Sequence, residues 1–127
     1  MQAKKDLKIL VVVDDFSPTR TILINQLNNL GYINIVESMD GYSALARLRS
    51  ALFDLVITDW SLSNMSGLDL LTKIRANSDL KLVPVIMITP EDFQENMITA
   101  IKAGLNDYIV RPYEYHKFKK KLEKIFV

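Results

Sequence analysis

Apolar positions along the chain alternate between two spacings. Five short runs carry strand character: residues 8–13 (KILVVV), 34–37 (NIVE), 55–58 (LVIT), 83–89 (VPVIMIT) and 108–110 (YIV). Four of them are rich in β-branched residues and lack apolar–polar alternation, the pattern of strands buried on both faces. Between them the period lengthens to that of a helix. Leu23, Leu27 and Leu30 stand at i, i+4 and i+7, and Leu45 with Leu48 marks a second segment. Leu70, Leu71 and Ile74 mark a third, Met97, Ile98 and Ile101 a fourth, and Phe118, Leu122 and Ile125 a last helix with a lysine-rich opposite face.

Local punctuation agrees with these elements. Ser17 before Pro18 reads as an N-cap followed by proline at the first helical position, while Gly31 and Gly104 follow their helices as C-terminal glycines do. Strand and helix alternating five times predict an α/β fold: a doubly wound, five-stranded parallel sheet with right-handed crossovers and five helices on its two faces. No repeat, linker or low-complexity stretch interrupts the pattern, so residues 1–127 read as a single domain.

Composition narrows the functional classes. Sixteen Lys and Arg against fifteen Asp and Glu leave a net charge of +1, which argues against a nucleic acid or a membrane surface as the main partner. The absence of cysteine removes disulfides, thiolate metal sites and cysteine nucleophiles, and suits a reducing compartment. The charged start of the chain has no apolar signal core, and the run 9–13 is too short to span a bilayer. A soluble, cytoplasmic protein is expected.

In doubly wound sheets, ligands sit outside the carboxyl ends of the strands. There the sequence places Asp14 and Asp15 after the first strand, Asp59 after the third, Thr89 after the fourth, and Arg111 before Pro112 after the fifth. Each carboxylate alone is ordinary turn chemistry. Gathered at one edge, three carboxylates repel one another unless a divalent cation neutralises them, and oxygen donors without imidazole or thiolate suit Mg²⁺. A hydroxyl and a cation opposite such a site point to a phosphoryl group, with Asp59 as its acceptor through an acyl phosphate.

The stretches VVVDDFSPTR, DLVITDWSLSNMSGLDLL, PVIMITPED and AGLNDYIVRPY resemble the receiver domains of bacterial two-component response regulators, most of all the single-domain chemotaxis regulators. The resemblance covers nearly the whole chain and implies the flavodoxin-like strand order 2-1-3-4-5. It implies that Asp59 accepts phosphate from a histidine kinase, with Mg²⁺ held by Asp14, Asp15, Asp59 and the backbone carbonyl of Ser61. Thr89 would bond the phosphoryl group, Arg111 would supply the cation, and Tyr108 would turn inward when Thr89 moves. The surface read by a partner would include Glu91, Met97, Ile98, Tyr108, Lys121 and Lys124, although helical spacing also suits Met97 or Ile98 to the core. A flagellar motor switch or another chemotaxis protein, and a phosphatase, are the implied partners of a monomeric signalling domain that is not a conventional enzyme.

Two residues depart from the family pattern. Arg111 stands where the family has lysine, and Pro90 removes a backbone N–H that commonly donates to the phosphoryl group. The extra donors of a guanidinium offer a replacement for the lost amide. Pro90 also restricts Thr89 to extended backbone, which gives weight to an alternative: a receiver-like interaction module that no longer switches by phosphorylation. Ser61, Ser63 and Ser66 also differ from the residues usual in the family. A metal-dependent phosphohydrolase ranks last, for want of an acid or base beyond the carboxylates. His116, the lysines of the last helix, Tyr113 and Tyr115 read as surface or packing residues.

Overall fold

All five apolar runs form strands of one parallel sheet in a computed structural model that describes residues 3–13, 18–90 and 94–126. They are β1 (Ile9–Val12), β2 (Ile35–Ser38), β3 (Leu55–Asp59), β4 (Val85–Pro90) and β5 (Asp107–Arg111). The helices are α1 (Thr19–Asn29), α2 (Gly41–Ser50), α3 (Gly67–Ala76), α4 (Gln94–Lys102) and α5 (Tyr115–Ile125). A single 3-10 turn, Lys4–Asp6, precedes β1 without a signal in the apolar pattern. The strand order is β2-β1-β3-β4-β5, the flavodoxin-like order that the resemblance implied.

Burial follows position in the sheet. Every residue of the inner strands β1 and β3 is buried, and β4 is buried up to Thr89. The edge strands β2 and β5 are only partly covered, since each has a neighbour on one side. Alternate residues point to opposite faces. Ile9, Val11, Ile57, Ile88 and Ile109 pack with Leu23 and Leu27 of α1 and with Phe118 and Leu122 of α5. Leu10, Val12, Val56 and Met87 pack on the other face with Leu45, Leu71, Ile74 and Met97 of α2, α3 and α4.

That packing corrects one expectation. Met97 is 2% exposed and lies in the second cluster with Ala100, so it is core and not part of a partner surface. Residues three apart share a helix face, which carries Met97 and Ala100 inward and leaves Ile98 and Ile101 exposed.

Helix ends are set by specific chemistry. Gly31 and Gly104 take φ of +99° and +107°, a region that side-chain-bearing residues avoid. Pro18 is already helical in backbone ahead of Thr19, as expected of a proline in the first turn, while the proposed cap Ser17 lies outside the described residues. The start of α3 carries a reciprocal box: Ser66 Oγ accepts from the Asp69 N–H at 3.0 Å, and Asp69 Oδ2 accepts from the Ser66 N–H at 3.3 Å. Arg75, near the end of α3, donates to the carbonyls of Val83 (2.7 Å) and Gly104 (3.0 Å) and to Asn106 Oδ1 (2.8 Å). These bonds tie α3 to the segments that enter β4 and β5. Among the described residues, no helix is long and apolar enough to cross a membrane.

Candidate functional site

The carboxyl edge of the sheet gathers the described part of the expected site. Asp59 ends β3 and is 4% exposed, an unusual burial for a carboxylate. The ladder continues past it, with the Trp60 N–H donating to the Ile88 carbonyl at 2.9 Å. The next turn comes back against the same backbone, where the Gly67 N–H donates to the Trp60 carbonyl at 2.6 Å. A Cβ on Gly67 would overlap the Asp59 carbonyl oxygen, so only glycine lets α3 begin this close to β3. The signal of Gly67 in the sequence is slight, a glycine one residue after a helix cap.

Arg111 reaches into the site from the end of β5. Its Nη1 stands 3.8 Å from Asp59 Oδ1 and donates to Thr19 Oγ1 at 2.9 Å. Burial of Asp59 makes a nearby guanidinium favourable, because a carboxylate taken out of water needs compensation. Thr89 is buried at the end of β4, directly after the residue that pairs with Asp59, and its hydroxyl donates to the Pro90 carbonyl at 3.3 Å. Pro90 pairs in register with Arg111, so the two departures from the family pattern are neighbours across the sheet. The Arg111–Pro112 peptide bond is cis.

Asp59, Thr89 and Arg111 therefore share one edge, as expected. Asp14, Asp15 and Glu91 lie outside the described residues. Ser61 is exposed just beyond β3. Among the described residues no three His, Asp or Glu side chains gather as a metal site. Of the expected metal carboxylates, Asp59 is the one within that part of the chain. Its donors, a carboxylate and the backbone beyond it, are the hard oxygen type that fits Mg²⁺.

Tyr113 forms the flank of the site. Its hydroxyl donates to Gln26 Oε1 at 2.8 Å, and its ring lies 5.6 Å from that of Phe118. Burial, with a smaller contribution from the Asp59 charge, pushes the phenol up to about 12, while Arg111 acts in the opposite direction. The folded protein thus holds this proton more tightly than the unfolded chain, whose tyrosines titrate near 10. The associated stability is complete below pH ~10 and is lost as pH rises through ~12. The urea midpoint should fall more steeply across that interval in the wild type than in Tyr113→Phe; equal slopes would contradict this.

Most of the residues expected at a switch surface lie within the described part of the chain. Tyr108 is half-buried against the second cluster, and the Lys121 ammonium lies 5.8 Å from its ring centroid. Lys121 also donates to Asp107 Oδ1 at 2.9 Å, a contact to its neighbouring strand that the sequence did not reveal. Ile98 and Lys124 are exposed, and Met97 is not available, as described above. His116 is exposed at the start of α5.

Comparison with known proteins supplies context for this geometry. The family described as the response regulator receiver domain matches residues 10–123. Chemotaxis protein CheY-3 of Vibrio cholerae is 49% identical over 122 residues, covering 96% of this chain and 93% of the relative. Chemotaxis protein CheY of Pseudomonas aeruginosa is 46% identical over 120 residues, covering 94% and 96%. Among solved structures, the receiver domain of a sensor histidine kinase from Pseudomonas aeruginosa is 24% identical and covers 95% of this chain and 99% of its own, with a TM-score of 0.82. That protein was crystallised with a magnesium ion coordinated in its active-site cleft.

Proposed function

The chain belongs to the response regulator receiver family, and we propose that it is a chemotaxis receiver switched by phosphorylation of Asp59. The observation that carries this reading is a buried carboxylate at the end of β3 with the Arg111 guanidinium 3.8 Å away. A histidine kinase is the phosphodonor. A carboxylate oxygen of Asp59 attacks phosphorus, and the new O–P bond forms as the P–N bond to the donor histidine breaks. The electron pair of that bond stays on the ring nitrogen, and the ring, protonated by solvent on its other nitrogen before transfer, leaves as neutral imidazole.

Each residue at the edge has a part in that transfer. Arg111 stabilises the negative charge that accumulates around phosphorus, and its fixed positive charge takes the place of the amide that Pro90 removes. The Thr89 hydroxyl leaves the Pro90 carbonyl and donates to a phosphoryl oxygen. Asp14, Asp15, Asp59 and the Ser61 carbonyl would hold Mg²⁺. When bound, that ion offsets the charge of the incoming group against the acidic edge.

Phosphorylation adds about −1.5 to −2 charges at the sheet edge. Movement of Thr89 opens space toward Tyr108, and inward rotation of its ring changes the surface formed by α4, β5 and α5. Ile98, Tyr108, Lys121 and Lys124 present that surface to a partner, and Glu91, outside the described residues, is proposed with them. A flagellar motor switch or another chemotaxis protein fits, in the cytoplasm, and a phosphatase resets the state. The 49% identity to a chemotaxis protein over nearly the full chain supports this assignment. Incubation with Mg²⁺ and phosphoramidate, followed by peptide mass mapping, should place one phosphoryl group on Asp59; a group on any other residue would overturn the assignment of the acceptor.

A further inference from the structure

We infer that Thr19 is a positioning residue for phosphoryl transfer: its hydroxyl holds the Arg111 guanidinium beside Asp59. The inference rests on the functional reading above and deepens it, because it concerns how this chain operates its arginine. An arginine has a long flexible stem, and the freedom of that stem must be restricted before its charge is delivered to one place. Among the described residues, the hydrogen-bond partner of the guanidinium is Thr19, at 2.9 Å. Beside it a groove of about 450 Å³, bordered by Ile22, Gln26, Pro90 and Pro112, offers room for the side chain to swing away.

Thr19 is suited to this task. It is the first residue of α1 and is 7% exposed, so its backbone is fixed by the helix and its side chain by packing. Branching at Cβ restricts its first torsion to few rotamers, and the bond to Arg111 selects among them. The same nitrogen, Nη1, faces both the threonine hydroxyl and the aspartate carboxylate. At 3.8 Å from Oδ1 it stands beyond the ~2.8 Å of a charge-assisted hydrogen bond, so a phosphoryl oxygen added to Asp59 has a donor waiting. A threonine hydroxyl on α1 thereby couples the first helix to the chemistry at the third and fifth strands.

The test uses initial rates of phosphorylation by phosphoramidate with Mg²⁺, in which the O–P bond to Asp59 forms as the P–N bond breaks and ammonia departs after protonation by solvent. Valine keeps the shape of threonine and removes the acceptor, so Thr19→Val should slow the rate about ten-fold, the loss associated with one hydrogen bond to a charged group. Thr19→Ser should restore most of it. In an Arg111→Met background, Thr19→Val should have no further effect, a non-additivity that general loosening of the fold would not produce. Urea unfolding of each variant separates loss of fold from loss of positioning.

A wild-type rate in Thr19→Val overturns the inference alone, as does an undiminished ten-fold loss in the Arg111→Met background. A wild-type protein that takes up no phosphoryl group overturns the functional reading and this inference together.

Discussion

Asp59→Asn should abolish phosphoryl uptake while leaving the fold in place. The amide has the size of the carboxylate but not its nucleophilic charge, and loss of a nucleophile costs a factor of about 10³ or more in rate. The side chain is buried at the end of β3, so a near-isosteric replacement disturbs its packing little. Arg111 loses the attraction of the carboxylate 3.8 Å away but keeps its bond to Thr19. Intact-mass analysis after exposure to phosphoramidate and Mg²⁺ should show one added phosphoryl group on the wild type and none on the variant. Phosphorylated Asp59→Asn would move the acceptor to another residue. Far-UV circular dichroism and the urea midpoint check that the variant is folded.

Gly67→Ala should be the most damaging single methyl group in the site. The Gly67 N–H lies against the Trp60 carbonyl at 2.6 Å, and an added Cβ would stand 3.2 Å from the Trp60 Cα as well as overlapping the Asp59 carbonyl oxygen. Those neighbours are backbone and cannot rotate away. Either α3 lifts off, which breaks the Gly67–Trp60 bond, or the end of β3 shifts and carries Asp59 with it. A destabilisation of about 3 kcal/mol follows, at the upper end of ordinary overpacking. Phosphorylation should also fall in molecules that remain folded, because positioning errors of about 1 Å cost reactive geometry heavily.

Gly41→Ala supplies the contrast. The three atoms nearest to its added Cβ all belong to the Met65 side chain, and a flexible thioether can move. The urea midpoint of Gly41→Ala should therefore fall much less than that of Gly67→Ala. Equal losses would mean that the contact with the Asp59 backbone is not what makes Gly67 necessary.

The fold was legible because its signals are local and repeated. Strands β1, β3 and β4 announce themselves as apolar runs, since burial on both faces confines their polar residues, Thr58, Asp59 and Thr89, to the carboxyl ends. The edges were less distinct: β2 reaches Ser38 and β5 begins at Asp107, residues whose polarity an edge strand tolerates. Helical spacing put Met97, Ile98 and Ile101 together, but it could not say which way α4 faces. The sheet decides that, drawing in Met97 and Ala100.

The carboxyl-edge residues Asp59, Thr89 and Arg111 were legible because each ends a recognisable strand. Their contacts were not. The Thr19–Arg111 bond joins residues 92 positions apart, and a threonine at the start of a helix carries no mark of its distant partner. Lys121 looked like one of several surface lysines, yet it is held by Asp107 across the β5–α5 junction. The Ser66–Asp69 box was readable as serine followed three positions later by a carboxylate, and it fixes the start of α3 where Gly67 meets Asp59.

Trp60 follows Asp59 directly and is partly buried against the second cluster, so its fluorescence reports on the proposed acceptor without a label. The decisive measurement titrates that signal with Mg²⁺ and then adds phosphoramidate, for the wild type and for Asp59→Asn. The account predicts a Mg²⁺ response in the wild type and a second change on addition of the donor that Asp59→Asn lacks. A Mg²⁺ response with no donor-dependent change, and no phosphoryl group by mass, would contradict it. Arg111 and Pro90 would then have cost the chemistry, and the protein would act by binding alone.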